Sequence, residues 1–212
     1  FSHMNIDRYL KKTVQIDLKS KMVFIGGPRQ VGKTTLARQF IRQKNQYLNW
    51  DSLADRDIIK KHMIAPDLKI VVLDEIHKYT RWRMLVKGLF DKNSNELSIL
   101  VTGSARLDHF RKGGDSLAGR YHYYRLHPFS LPEVDSQLKQ ESLLRLLKYS
   151  GFPEPYSHQS VVFYRRWRRE RLSRVVYQDL RDLDTVKDLS KMELLVDSLP
   201  SRVGSPLSIK SL

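Results

Sequence analysis

Apolar residues recur every four positions at Ile6, Leu10, Val14 and Leu18, which predicts an amphipathic helix over 5–18 capped by Asn5 or Asp7. A short apolar strand over 21–25 then runs into Gly26-Gly27-Pro28, and a helix is expected over 34–43 with Leu36, Phe40 and Ile41 on one face. The pattern continues with a strand over 46–50 and a polar helix over 52–63. After Pro66 comes an apolar run over 68–73, interrupted only by Lys69, which suits a strand buried on both faces of a parallel sheet. A helix over 78–91 carries Trp82, Leu85, Val86, Leu89 and Phe90 as its core stripe. A turn at Asn93-Ser94-Asn95 leads to a buried strand over 97–101. A short helix over 106–111, a Gly113-Gly114 loop and a fifth strand over 121–126 complete an alternation of strands and helices. Such alternation argues for a parallel sheet wrapped by helices. From Ser130 onward only helical periodicity remains, over 131–147, 161–183 and 189–199, so a helical second domain is expected from about residue 130.

The composition, 41% hydrophobic and 29% charged over 212 residues, is that of a folded globular chain rather than a disordered one. No apolar run approaches the ~18 residues of a membrane span, and no secretory signal opens the chain. No membrane partner is therefore expected, and the cytoplasm is the default address. Phe1-Ser2-His3-Met4 reads as an expression-vector remnant. The absence of cysteine excludes disulfides and thiolate chemistry. Net charge is +15, from 38 Lys and Arg against 23 Asp and Glu, which suits an anionic partner without specifying a fold. The excess is densest at Tyr164-Arg165-Arg166-Trp167-Arg168-Arg169-Glu170-Arg171.

Gly27-Pro28-Arg29-Gln30-Val31-Gly32-Lys33-Thr34 fits the phosphate-loop pattern G-x-x-x-x-G-K-[ST], and Thr35 follows it into the helix. Glycines let backbone N–H groups turn towards phosphates where a side chain would collide. The next helix presents its positive end to the same anion. Lys33 would carry charge to the β- and γ-phosphates, and the Thr34 hydroxyl would ligate Mg²⁺. A strand before and a helix after are the context the motif requires.

Asp74-Glu75 directly follows the buried strand, where Asp74 would hold Mg²⁺ and Glu75 would polarise an attacking water. In isolation the pair would read as a solvated helix cap. No N-K-x-D guanine-reading element is present, which favours ATP over GTP. Thr102-Gly103-Ser104 ends the fourth strand, where Thr102 and Ser104 either sense the γ-phosphate or form an ordinary strand-to-helix turn. Arg120 is either an arginine finger acting on a neighbouring subunit's nucleotide or a surface residue pairing locally. His77 lacks companions at metal-ligand spacing, and Trp50 and Trp82 read as core anchors.

These residues resemble the prokaryotic AAA+-type ATPases that continue into a C-terminal domain of unknown function. The matching stretches are Gly26 to Leu36, Leu73-Asp74-Glu75-Ile76-His77-Lys78, Val101 to Arg106, Ser116 to Tyr121, Gly151-Phe152-Pro153-Glu154 and Tyr177-Gln178-Asp179-Leu180. The resemblance implies a P-loop NTPase core, an α/β fold whose five-stranded parallel sheet has the order 5-1-4-3-2, with helices on both faces and a helical lid. It supports the roles of Lys33, Thr34, Asp74 and Glu75, and less directly those of Thr102, Ser104 and Arg120. The expected division is an ATP-binding domain over 5–129, a lid over 130–200 and, over 201–212, the start of a winged helix that lacks its later helices.

The function expected is an ATPase, converting ATP and water to ADP and phosphate, that acts as a switch for an attached or partner effector region. It would act in a homo-oligomer if Arg120 works across the interface, and slowly where that neighbour is missing. The alternative is a nucleic-acid-binding protein that uses the basic helix over 164–174 on DNA, with ATP regulatory; against it, an arginine-rich helix is often a solvated face. A small-molecule kinase shares the phosphate loop, but the Asp-Glu pair and the resemblance count against it.

Overall fold

The apolar runs become the strands of one parallel sheet. The computed structural model describes residues 6–65, 67–93, 96–103, 107, 117–175, 177 and 189–204. Ser104, most of the helix expected over 106–111 and the expected winged-helix start from 205 onward lie outside these residues. The strands are β1 (Met22–Gly26), β2 (Tyr47–Asn49), β3 (Ile70–Asp74), β4 (Ser98–Thr102) and β5 (Tyr121–Arg125), in the order β2-β3-β4-β1-β5. Read from the other edge this is the expected 5-1-4-3-2, with every pairing parallel.

Alternation hidden inside the apolar runs gives the three central strands, β1, β3 and β4, two buried faces. Met22, Phe24, Val71, Leu73, Ile99 and Val101 face one way, packed with Trp82, Leu85 and Val86 of α4 (Trp82–Asn93) and Ile59 of α3 (Leu53–Lys60). Val23, Ile25, Val72 and Leu100 face the other way, covered by Val14 of α1 (Lys11–Asp17) and by Leu36 and Ala37 of α2 (Lys33–Arg38). Successive strand residues point to opposite faces, so a run with no polar gap requires helices on both sides. Trp50 and Trp82 are buried, as is His77.

Several helices differ in extent from their sequence pattern. The first begins at Lys11 rather than Asn5, because the Tyr9 N–H donates to the Glu133 carboxylate instead of continuing a helix. Leu10, Val14 and Leu18 remain buried, so the stripe holds where the helix does not. Helix α2 stops at Arg38 rather than Gln43, since the Gln46 side chain accepts from the Arg42 and Gln43 N–H groups. The helix expected over 131–147 is two, α5 (Leu131–Val134) and α6 (Gln140–Tyr149). Between them the Asp135 carboxylate accepts from the Gln137 and Lys139 N–H groups, an alternative to helical bonding that Asp offers readily.

Helix α7 (Pro153–His158) follows, with a proline at its first turn where no N–H is needed. Residues 1–159 form one compact unit and residues 160–212 a second, which contains α8 (Val161–Arg174) and α9 (Leu189–Ser198). Among the described residues no helix is long and apolar enough to cross a membrane.

Candidate functional site

Parallel pairing brings the carboxyl ends of β1, β3 and β4 side by side, with Ile25 and Asp74 both opposite Thr102. Ligands of open α/β sheets bind at such ends. The phosphate loop leaves β1 here and folds into α2. Gly27 adopts φ 142°, and a Cβ there would sit 2.4 Å from the Leu126 carbonyl oxygen, so no side chain fits. Gly32 caps α2 at φ 95°, a conformation that glycine adopts readily. Between them Val31 buries its side chain in the core and turns its carbonyl to Arg8.

Lys33 is buried, and its ammonium donates to the carbonyls of Gly27 at 3.0 Å and Pro28 at 2.8 Å. The loop therefore closes around its own lysine. A phosphate would exchange these neutral acceptors for charged ones, which bind an ammonium more strongly.

Beneath the loop, Asp74 collects hydroxyl donors. Its Oδ2 accepts from Thr34 Oγ1 at 2.8 Å and from the Tyr47 hydroxyl at 2.5 Å, and its Oδ1 accepts from Thr102 Oγ1. The carboxylate is only 4% exposed, a burial that hydrogen bonds must offset. Burial, reinforced by the bond to Asp74, pushes the Tyr47 hydroxyl well above its usual range, so it stays a donor. Thr102 thus directs its hydroxyl to Asp74 and is not among the cavity-lining residues. Thr34 and Asp74 form a pair of hard oxygen donors of the kind Mg²⁺ takes, usually with several waters retained.

Glu75 leaves the strand with φ 56°, uncommon for a residue with a side chain, and its N–H donates to the Thr102 carbonyl at 2.9 Å. Strained backbone of this kind clusters at functional sites. The turn brings Glu75 to the wall of the cavity. Burial raises the pKa of its carboxyl, opposed by Lys78, whose ammonium lies 3.3 Å away and also pairs with Asp51 at 2.6 Å. His77 Nε2 is 3.7 Å from the same carboxylate.

The cavity has a volume of about 900 Å³, and Arg29, Gln30, Gly32, Lys33, Thr34 and Thr35 form its phosphate-loop wall. Ile6, Phe129 and Pro153 supply apolar surface elsewhere in it, and Glu154 and His158 of α7 add polar groups. Gln39 also lines it, with its Oε1 buried and without a hydrogen-bond partner among the described residues. A cavity on this scale, with apolar surface set among many polar and charged groups, suits a nucleotide-sized ligand.

Arg120 stands apart. Its guanidinium pairs with Asp91 of α4 at 2.7 Å, and it does not line the cavity.

Three participants escaped the sequence. Arg8 is buried and lines the cavity, donating to Val31 O at 2.8 Å, to His127 O and to Glu133 Oε1 at 2.9 Å, with its guanidinium 4.8 Å from the Phe129 ring centroid. It ties the phosphate loop to the start of the helical segment. Glu133 is its counter-ion and Tyr47 is the third donor on Asp74. The partners of Arg8 and Glu133 are separated by 125 positions, which no local pattern reports.

Comparison with known proteins agrees with this geometry. The chain is 22% identical to an uncharacterized protein, MJ1544, of Methanocaldococcus jannaschii, over 97% of this chain and 52% of that protein. It is 25% identical to the uncharacterized proteins Mb2031c of Mycobacterium bovis and Rv2008c of Mycobacterium tuberculosis, over 78% of this chain and 37% of each. The chain thus spans about half or less of the length of these curated relatives. Residues 140–212 match a domain of unknown function (DUF8612). Residues 19–135, more than half of the chain and the whole of the sheet, match the AAA domain, and the chain belongs to that family of nucleotide-binding, ATPase-like domains.

Proposed function

We propose that this chain binds ATP with Mg²⁺ and hydrolyses it to ADP and phosphate, as a nucleotide-dependent switch for an attached or partner effector region. The observation that carries the reading is the convergence of Thr34, Asp74 and Thr102 beneath the phosphate loop, with Glu75 turned to the cavity wall. Lys33 exchanges the Gly27 and Pro28 carbonyls for β- and γ-phosphate oxygens. Thr34 and Asp74 hold the cation, and Tyr47 and Thr102 keep the Asp74 carboxylate oriented. Mg²⁺, when bound, neutralises charge on the phosphate oxygens. Glu75 orients the attacking water and accepts its proton; a carboxyl raised towards the working pH suits that role.

Helices α5 to α7 are proposed as part of the lid, supported by the contribution of α7 to the cavity wall. Arg120 would have to leave Asp91 to reach a neighbouring subunit's nucleotide, so its finger role requires a homo-oligomer. ATP stabilises any protein that binds it only in the folded state, which provides the test. MgATP should raise the melting temperature of the wild type and not of Lys33→Ala; equal shifts would refute the reading. Glu75→Gln should retain ATP binding and lose hydrolysis, and unchanged turnover would remove Glu75 from the base role.

A further inference from the structure

Helix α8 carries the densest charge in the chain. Arg165, Arg166, Arg168 and Arg169 are all exposed, while Trp167 is buried. With Arg165 at 0°, helical geometry puts Arg168, Arg169 and Arg166 at about −60°, +40° and +100°, and Trp167 at about −160°. The four arginines therefore share one solvent-facing side, opposite the anchoring tryptophan, whose ring stacks with Tyr164 and lies beneath Arg171.

Among the described residues, internal pairing leaves most of this charge unneutralised. Glu170 binds Arg166 at 3.0 Å and Arg174 at 3.6 Å. No described carboxylate pairs with Arg165, Arg168 or Arg169. Like charges three and four positions apart destabilise a helix, so a surface of this kind gains when an anion covers it.

We propose that this face of α8 binds the phosphate backbone of a nucleic acid without reading its sequence. Arg165, Arg168 and Arg169 lie within about 6 Å of axial rise. Duplex DNA carries one charge per ~1.7 Å, about three to four over that length, so the linear charge densities match. Guanidinium forks also suit phosphate oxygens better than ammonium groups do. A membrane-surface helix would instead set a broad apolar face towards the lipid, whereas the exposed apolar residues of α8 are confined to Val161 and Val162 in its first turn, and Arg165, Arg166, Arg168 and Arg169 follow them. The net charge of +15 favours approach to any polyanion and adds to the same attraction. The inference rests on α8 alone and is independent of the ATPase reading.

The test uses the full chain and a fluorescein-labelled duplex, followed by anisotropy at increasing salt. Affinity should fall steeply with salt. Substituting Arg165, Arg168 and Arg169 together by Gln should lower the slope of log K against log salt by about 2–3, at ~0.9 per lost phosphate contact. Arg166→Gln should change it less, because Glu170 already neutralises that residue. The triple Lys variant should keep the slope, which separates charge from folding damage. The thermal shift with MgATP should be unchanged in every variant. A flat salt dependence, or wild-type affinity in the triple Gln variant, would overturn the proposal. So would binding to vesicles containing anionic phospholipid with none to DNA.

Discussion

Arg8 allows the site's architecture to be tested by stability alone, with no nucleotide present. Its side chain and that of Glu133 are only 5% and 4% exposed, so their pair is desolvated rather than a surface contact. Replacing Arg8 by Met keeps the length and apolar stem but removes every donor. Glu133 would retain the Ser130 and Tyr9 donors, whereas the Val31 and His127 carbonyls would lose the bonds Arg8 gives them. Breaking a buried pair from one side costs about 3–5 kcal/mol, against about 0–1 for an exposed pair. The donors that remain on Glu133 put the expected loss near the lower figure, about 3 kcal/mol. For a chain of this size that lowers the melting temperature by about 6–12 °C. Glu133→Gln keeps an acceptor for Arg8 and should cost less. The double variant should lose less than the sum, with a coupling of about 1 kcal/mol or more. Urea denaturation followed by tryptophan fluorescence measures all three. A loss below about 1 kcal/mol for Arg8→Met would show that the contact behaves as a surface pair and that the reasoning fails.

The same pair makes stability depend on pH. Burial opposes ionisation of Glu133, but the bonds from Arg8, Ser130 and Tyr9 outweigh it, so its carboxyl titrates below the ordinary value of 4.5. That stabilisation is present above 4.5, is lost as pH falls through the depressed folded value, and should be missing from the acid limb of Glu133→Gln. Tyr47→Phe removes one donor from a buried carboxylate and should cost about 1.5–3 kcal/mol while raising the Mg²⁺ needed for nucleotide binding; an unchanged midpoint and Mg²⁺ requirement would count against the role of Tyr47. Gly27→Ala places a methyl against a main-chain oxygen in a backbone region that side chains disfavour, so about 3 kcal/mol should be lost in thermal denaturation. Wild-type stability in that variant would contradict the close approach of Leu126.

What could be read in advance was what lies close together in the chain. The phosphate loop is one contiguous stretch whose glycines and lysine act at fixed offsets. Asp74 and Glu75 were visible because a continuous apolar strand ends just before them, and strand ends converge in a parallel sheet. The full sheet order followed from the family resemblance; the hydrophobic pattern separates only the edges, since β2 and β5 carry Asn49, His122 and Arg125 and are less buried than β1, β3 and β4.

The helix ends were less legible, because side chains at a distance in the chain decided them: Glu133 draws the Tyr9 N–H out of a longer first helix. Gln46 and Asp135 end or divide helices by offering acceptors that apolar periodicity does not record. Tyr47 looked like an ordinary strand residue until β2 paired with β3 and set its hydroxyl on Asp74.

Sequence alone determined the presence of a phosphate loop, an acidic strand end and an arginine-rich helix, since each is a short-range pattern with its own chemistry. Tertiary structure decided that Lys33 rests on its own loop, that Asp74 is held by hydroxyls from three elements, and that Arg8 ties the loop to Glu133, 125 positions further along the chain. The physical reason is that burying a charge is costly unless partners arrive, and only the folded chain brings partners that far apart in sequence into contact.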